Sequence, residues 1–196
     1  MASARVSRRP LRLGAALTAL VCAFFCLSSP RPAQAEPLAE YEIKAAFIYN
    51  FAKFVQWPAT AFAQPQAPLM VCVIGDDAFG SALDTIDHKV AQGHELRLRR
   101  RVHLEDARSC HILFVARTER ARLTQVVRAV SGLSVLTISD MDRFAEAGGV
   151  IGLYELDSNV HFSINQDQAR RALLQINSQL LKLARIVQTE VREDGQ

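Results

Sequence analysis

The chain has 196 residues, of which 49% are hydrophobic and 22% charged, with nine glycines, seven prolines and four cysteines. That balance excludes a disordered tract, a collagen-like repeat or a disulfide-dense miniature scaffold and suits a single packed domain. The formal net charge is +3, but residues 1–35 hold five of the 23 basic residues and no acid, leaving 18 against 20 and a net of −2; the whole-chain charge therefore says nothing about nucleic-acid binding, and no nucleic-acid partner is expected.

Residues 1–35 read as a secretory signal peptide. Arg5, Arg8, Arg9 and Arg12 form a basic start, Leu13 to Leu27 is an apolar run too short to span a bilayer, and Ala33-Gln34-Ala35 has the small-x-small form of a cleavage site ahead of Glu36. The paired arginines resemble a twin-arginine signal, but Pro10 and the missing phenylalanine favour ordinary secretion. Cys22 and Cys26 would leave with this segment. The expected location is the periplasm, with one α/β domain over residues 36–190 and a charged tail over 191–196. No later stretch has ~18 continuous apolar residues.

The spacing of Ile43, Phe47, Phe51 and Phe54 predicts a helix over residues 40–56, stopped by Pro58. "QAPLMVCVIG" reads as a buried strand leading into a short helix from about Ala78 to Ile86, for which Asp76 or Asp77 supplies the cap. "HELRLRRRVHL" alternates as a half-exposed strand, and "CHILFVA" is a second buried strand. Thr118 is expected to cap a helix running to about Val130, with Leu123, Val126, Val127 and Val130 inward and Gly132 as its stop. "SVLTISD" is a third buried strand and Asp140 to Glu146 a helical turn. "VIGLYEL" and "NVHFSIN" form a hairpin around Asp157-Ser158. The last helix is capped by Asn165, with Gln168 completing a capping box, and runs to about Val191. Leu173, Ile176, Leu180, Leu183 and Val187 would line one side of it. Strands buried on both faces and alternating with helices imply a layered α/β sandwich, with a mostly parallel sheet, helices on both faces and an antiparallel edge hairpin.

Catalytic patterns are missing. Ser81 stands where a phosphate-binding loop beginning at Gly75 needs lysine, and neither G-x-G-x-x-G nor G-x-S-x-G occurs. His88, His94, His103, His111 and His161 show no ligand spacing, so no metal or other cofactor is expected. The run Arg97–Arg101 is a solvated strand end, or a contact for an acidic protein partner or an anionic envelope component. Phe47, Phe51, Phe54 and Trp57, together with Leu180 and Leu183, exceed what one sheet face needs and are candidates for a dimer or partner surface. Cys72 and Cys110 would survive cleavage, and in an oxidising compartment a lone pair favours a disulfide over two free thiols.

These stretches together resemble the YfiR family (DUF4154), through "IKAAFIYNFAKFVQWP", "VCVIGDDAFG", "CHILFVARTE", "SVLTISDMDRFAEAGGVIGL", "NVHFSIN" and "INSQLLKLARIV". The resemblance implies a non-catalytic periplasmic α/β protein that forms homodimers. It would bind the periplasmic part of an inner-membrane YfiN-like diguanylate cyclase and hold it inactive, lowering cyclic-di-GMP and biofilm formation. An OmpA-like outer-membrane lipoprotein can sequester such a repressor. Cys72 and Cys110 match the family's stabilising disulfide, whereas a second pair that flanks the segment matching Gly148–Gly152 in some members has no counterpart here. Some members hold small aromatic ligands with a basic pair near the last helix; the matching positions, Gln175 and Asn177, are uncharged. The competing reading is a periplasmic small-ligand binding protein serving a transporter or receptor, using the crevice at the strand ends near Gly75–Phe79 and Ser139–Met141.

Overall fold

The computed structural model describes residues 35–190; residues 1–34 of the proposed signal peptide and the charged tail lie outside them. The first helix, α1 (Ala35–Phe54), is followed by β1 (Val55–Gln56), β2 (Leu69–Ile74), β3 (Val90–Ala91), β4 (His94–Val102) and β5 (Ile112–Val115). Helix α2 (Leu123–Ala129), β6 (Leu136–Ser139), β7 (Ile151–Leu156), β8 (Asn159–Asn165), α3 (Gln166–Arg171), β9 (Gln175–Ile176), α4 (Ser178–Leu183) and β10 (Arg185–Val187) complete the chain. Eight strands form one sheet in the order β10-β8-β7-β6-β5-β2-β4-β3, and β1 pairs separately with β9. Only β7–β8 and β3–β4 are antiparallel in the large sheet, so the expected mixed α/β architecture is present.

The central strands bury both faces, which explains why they read as unbroken apolar runs. Val71 and Val73 of β2 join Ile112, Phe114, Leu136 and Ile138 beneath α1. Cys72 and Ile74 of the same strand point the other way, to Leu113, Val115 and the Val126 and Val130 side of α2. The hairpin turns at Asp157 and Ser158 with φ of 50° and 58°, the paired positive φ that a two-residue type I′ connection requires.

Four expectations are corrected. Helix α1 turns Ala45, Ile48, Phe51 and Ala52 inward, one step round from the anticipated stripe, and Ile43 is 47% exposed. Alanines let the helix sit close to the sheet, so small residues mark its buried face as much as large ones do. The segments Gly80–Ile86 and Arg117–Arg122 are 3-10 turns. Thr118 caps nothing; its Oγ1 accepts from the Asp76 amide at 3.0 Å. Across that contact Gly75 takes φ +87°, and a Cβ there would lie 2.7 Å from the same oxygen.

The largest departure is the last helix. Asn165 does cap α3, accepting from the Gln168 amide at 3.1 Å, but the Gln168 side chain donates to Thr189 instead of closing a capping box. Leu173 adopts φ +56° and ends the helical path. β9 then pairs with β1, Asn177 caps α4 by accepting from Gln179 at 2.8 Å, and β10 adds in parallel outside β8. The apolar residues at helical spacing are divided among three short elements, Ile176 in β9, Leu180 and Leu183 in α4 and Val187 in β10, because pairing to two pre-existing strands outweighs local helix propensity.

Candidate functional site

The first feature is covalent. Cys72 in β2 and Cys110, just ahead of β5, form a disulfide with their Cα atoms 5.9 Å apart. Residues 72 and 113 are register partners in adjacent parallel strands, so the bridge ties neighbours. Both cysteines are buried against Leu113 and Val115 on the α2 side, and the bridge closes a loop whose ends are 38 positions apart.

Asp76 and Asp77 have unequal places. Asp77 accepts from the Phe79 amide at 2.9 Å and also pairs with Arg100, which reaches on to Asp84 at 2.6 Å. Asp76 is exposed. Asp77 is thus part of a brace between β4 and the Gly80–Ile86 turn.

In open α/β sheets the crevice outside the carboxyl ends of the strands is the usual ligand place. Here α1 occupies the part of it beside β6, while a cleft of about 330 Å³ stays open beside Gly75, Asp76 and Glu119. Asp140, immediately after β6, receives the Lys44 ammonium at 2.5 Å, the Tyr41 hydroxyl at 3.1 Å and Arg117 Nε at 3.2 Å, all on Oδ2. Lys44 and Asp140 are each 3% exposed, and Lys44 also meets Glu40 at 2.6 Å. The Tyr41 ring packs edge-on against Phe79, which packs in turn on Phe114. Burial, and then the Asp140 charge, push the Tyr41 hydroxyl up to about 12; Asp140 likewise holds the Arg117 guanidinium above its ordinary value. Sequence reading missed this cluster because a polar stripe residue looks solvated. The available signal was Lys44 in line with Ile48 and Phe51, opposite a lone acid ending a buried strand.

A second missed arrangement lies at the opposite strand ends. Phe62 is sandwiched between the rings of His94, at 3.8 Å, and His111, at 4.5 Å. His111 Nδ1 accepts from the Met70 amide, Nε2 donates to the Ala61 carbonyl, and its own carbonyl accepts from Trp57 Nε1. The linkage from β1 to β2 is therefore pinned to the sheet by two imidazoles. Burial lowers the His111 pKa.

The candidate partner surface divides. Phe51 is fully buried on Phe162, and Leu180 is 6% exposed in the core. Phe47, Phe54 and Trp57 are half-buried against that core, and Leu183 stands 75% exposed. The ligand candidates also separate: Gln175 lines a groove of about 200 Å³ with Gln166, Arg170, Leu174 and Leu181, whereas Asn177 is engaged as the α4 cap. Among the described residues no three His, Cys, Asp or Glu side chains gather as a metal site.

A family model for DUF4154, described as YfiR/HmsC-like, matches residues 41–185. Among solved structures, the crystal structure of a conserved domain protein from Vibrio cholerae O1 biovar El Tor is similar at 11% identity and a TM-score of 0.47. The match covers 74% of this chain and 59% of that one, so this chain spans under two thirds of its length.

Proposed function

Since this chain belongs to the YfiR/HmsC-like DUF4154 family, whose members are periplasmic regulators, we propose that it binds and represses the periplasmic domain of an inner-membrane diguanylate cyclase. In this reading it lowers cyclic-di-GMP and biofilm formation without catalysing a reaction. It acts as a homodimer, and an outer-membrane OmpA-like lipoprotein relieves the repression by sequestering it. The family match over residues 41–185 carries the proposal. Of the candidate surface residues, the half-buried Phe47, Phe54 and Trp57 and the exposed Leu183 stay available for contacts with other proteins, alongside the exposed Ile43, Val90, Leu156, Leu173 and Ile186.

Deleting the gene should raise cyclic-di-GMP and surface attachment, and restoring it should reverse both. An unchanged level on deletion removes the cyclase from the proposal. A single-chain mass by light scattering across micromolar concentrations removes the dimer. For the small-ligand alternative, Tyr41 and Lys44 fill the strand-end crevice beside Asp140, while the part beside Gly75 and Asp76 keeps a cleft of about 330 Å³. A cleft of about 350 Å³ also lies beside His111 and Leu173 and a groove of about 200 Å³ beside Gln175, against the ~300–1,000 Å³ typical of such sites. Native mass spectrometry of protein purified from the periplasm, free of any retained metabolite, would close that route.

A further inference from the structure

Strand β4 has nine residues, but its outer neighbour β3 has two. β3 pairs only with His94 and Glu95, and the backbone just before it exchanges two bonds with Leu96: His88 N–H to the Leu96 carbonyl and Leu96 N–H to the Lys89 carbonyl. Leu96 therefore points its backbone groups outward. Backbone direction alternates along a strand, so the N–H and C=O of Leu98 point outward too. Among the described residues no strand pairs with them. The open stretch runs from Arg97 to a bulge, where Cys72–Ile74 of β2 faces Arg99–Val102 and Arg101 takes φ +52°.

The side chains on this stretch are sorted by face. Leu98 leans on the α1 side of the core, and Arg100 is committed to Asp77 and Asp84. Arg97 and Arg99 alternate with them, with side chains 46% and 41% exposed. Their carboxylate contacts are long, 3.7 Å from Arg97 to Glu95 and 3.7 Å from Arg99 to Asp106. Each also makes a shorter exposed contact, Arg97 with the His88 ring and Arg99 with Ser109 Oγ. An open edge invites another strand, and charge on the edge selects which one. A second copy of this chain would set arginine against arginine, and opposed like charges disfavour that pairing.

From this edge we infer a docking site for an extended segment of a partner protein, added as a strand beside Arg97–Arg100. That segment carries acidic side chains two residues apart, facing Arg97 and Arg99, with an apolar residue between them beside Leu98. The inference rests on the reading of this chain as a partner-binding protein and says how one partner is gripped. It does not require that partner to be a cyclase.

The test uses the purified mature protein and a labelled, end-blocked peptide with alternating glutamate and valine. Controls are the same peptide with lysine for glutamate and a version N-methylated at alternate amides. Fluorescence anisotropy should show the glutamate peptide binding, and binding ~tenfold weaker for each control, the scale expected for two cross-strand charge pairs or lost ladder bonds. R97E/R99E should reverse the preference so that the lysine peptide binds better, and the Leu98 amide should exchange more slowly in the wild-type complex. If R97E/R99E loses its circular-dichroism signature, R97Q/R99Q takes its place and should abolish the preference. Equal binding of the N-methylated peptide, or an unprotected Leu98 amide, would overturn strand addition. No peptide binding together with capture of phosphatidylglycerol vesicles by the same arginines would make this a lipid contact and end the proposal. These measurements are made on the isolated protein, so they fail or succeed independently of cyclic-di-GMP levels.

Discussion

Replacing Lys44 with methionine should destabilise the protein more than any change on its surface. The ammonium is 3% exposed and lies 2.5 Å from Asp140, itself 2% exposed at the side chain. Breaking a buried pair by removing one partner costs about 3–5 kcal/mol, because the other charge stays behind unpaired. Here the stranded carboxylate keeps the Tyr41 hydroxyl and Arg117, which points to the lower end, about 3 kcal/mol. At ~2–4 °C per kcal/mol for a domain of this size, the melting temperature should fall by about 6–12 °C. D140N leaves Lys44 with Glu40 at 2.6 Å and should cost a similar amount. The double variant K44M/D140N has no stranded charge, so it should cost less than the sum of the two by about 1–3 kcal/mol. Urea unfolding of all four proteins, followed by circular dichroism, measures this cycle. A K44M cost under ~1 kcal/mol with additive effects would show that the pair is hydrated in solution and refute the reasoning.

Reducing the Cys72–Cys110 bridge, or replacing both cysteines with alanine, should lower stability by about 3–4 kcal/mol, the chain-entropy value for a loop of this length; a bridge-free protein with unchanged urea midpoint would contradict it. Since the folded-state pKa of His111 is lowered from 6.5, the folded protein resists protonation there, and its stability should fall as pH drops below 6.5, a slope that H111N should flatten in melts from pH 7 to 5. Tyr41 titrates near 12 against an ordinary 10, so folding keeps its proton and stability should decline as pH rises from 10 to 12, less steeply in Y41F. D77N removes a partner of Arg100 and should cost about 1–2 kcal/mol, while D76N, at an exposed side chain, should stay within ~0.5 kcal/mol. The double substitution D157N/S158G should raise the melting temperature, since both positions already hold positive φ and an asparagine-glycine pair fits the type I′ turn.

The sheet was legible because its strands are buried on both faces: Leu69–Ile74 and Ile112–Val115 are unbroken apolar runs, and Leu136–Ser139 has no proline to break it. The hairpin was legible from its turn, and the bridge from the survival of two cysteines. What could not be read was anything decided by strands far away in sequence. The leucines from Leu173 to Leu183 keep helical spacing, yet Val55 and Gln56 draw Gln175 and Ile176 into a ladder, and β8 recruits Arg185–Val187. Periodicity has no access to such pairings. The Lys44–Asp140 cluster was hidden for a related reason. A lysine on a helix is taken as solvated until the acid 96 positions away is known to sit beneath it.

That separation sets the order in which the molecule can assemble. Helix α1 is the first element of the domain to leave any channel that delivers the chain amino end first, and nearly everything it rests on comes afterwards. Asp140, Phe162 and the Ile176 partner of Val55 are all more than ninety positions downstream. Until they emerge, Tyr41 and Lys44 remain in water and the crevice they fill is open. Contacts of such long sequence separation form slowly, because loop closure must precede any gain from them. The helix made first is thus the piece locked last. A chain interrupted before Ile176 would offer α1 its sheet face and Asp140, but would leave Val55 without its partner strand.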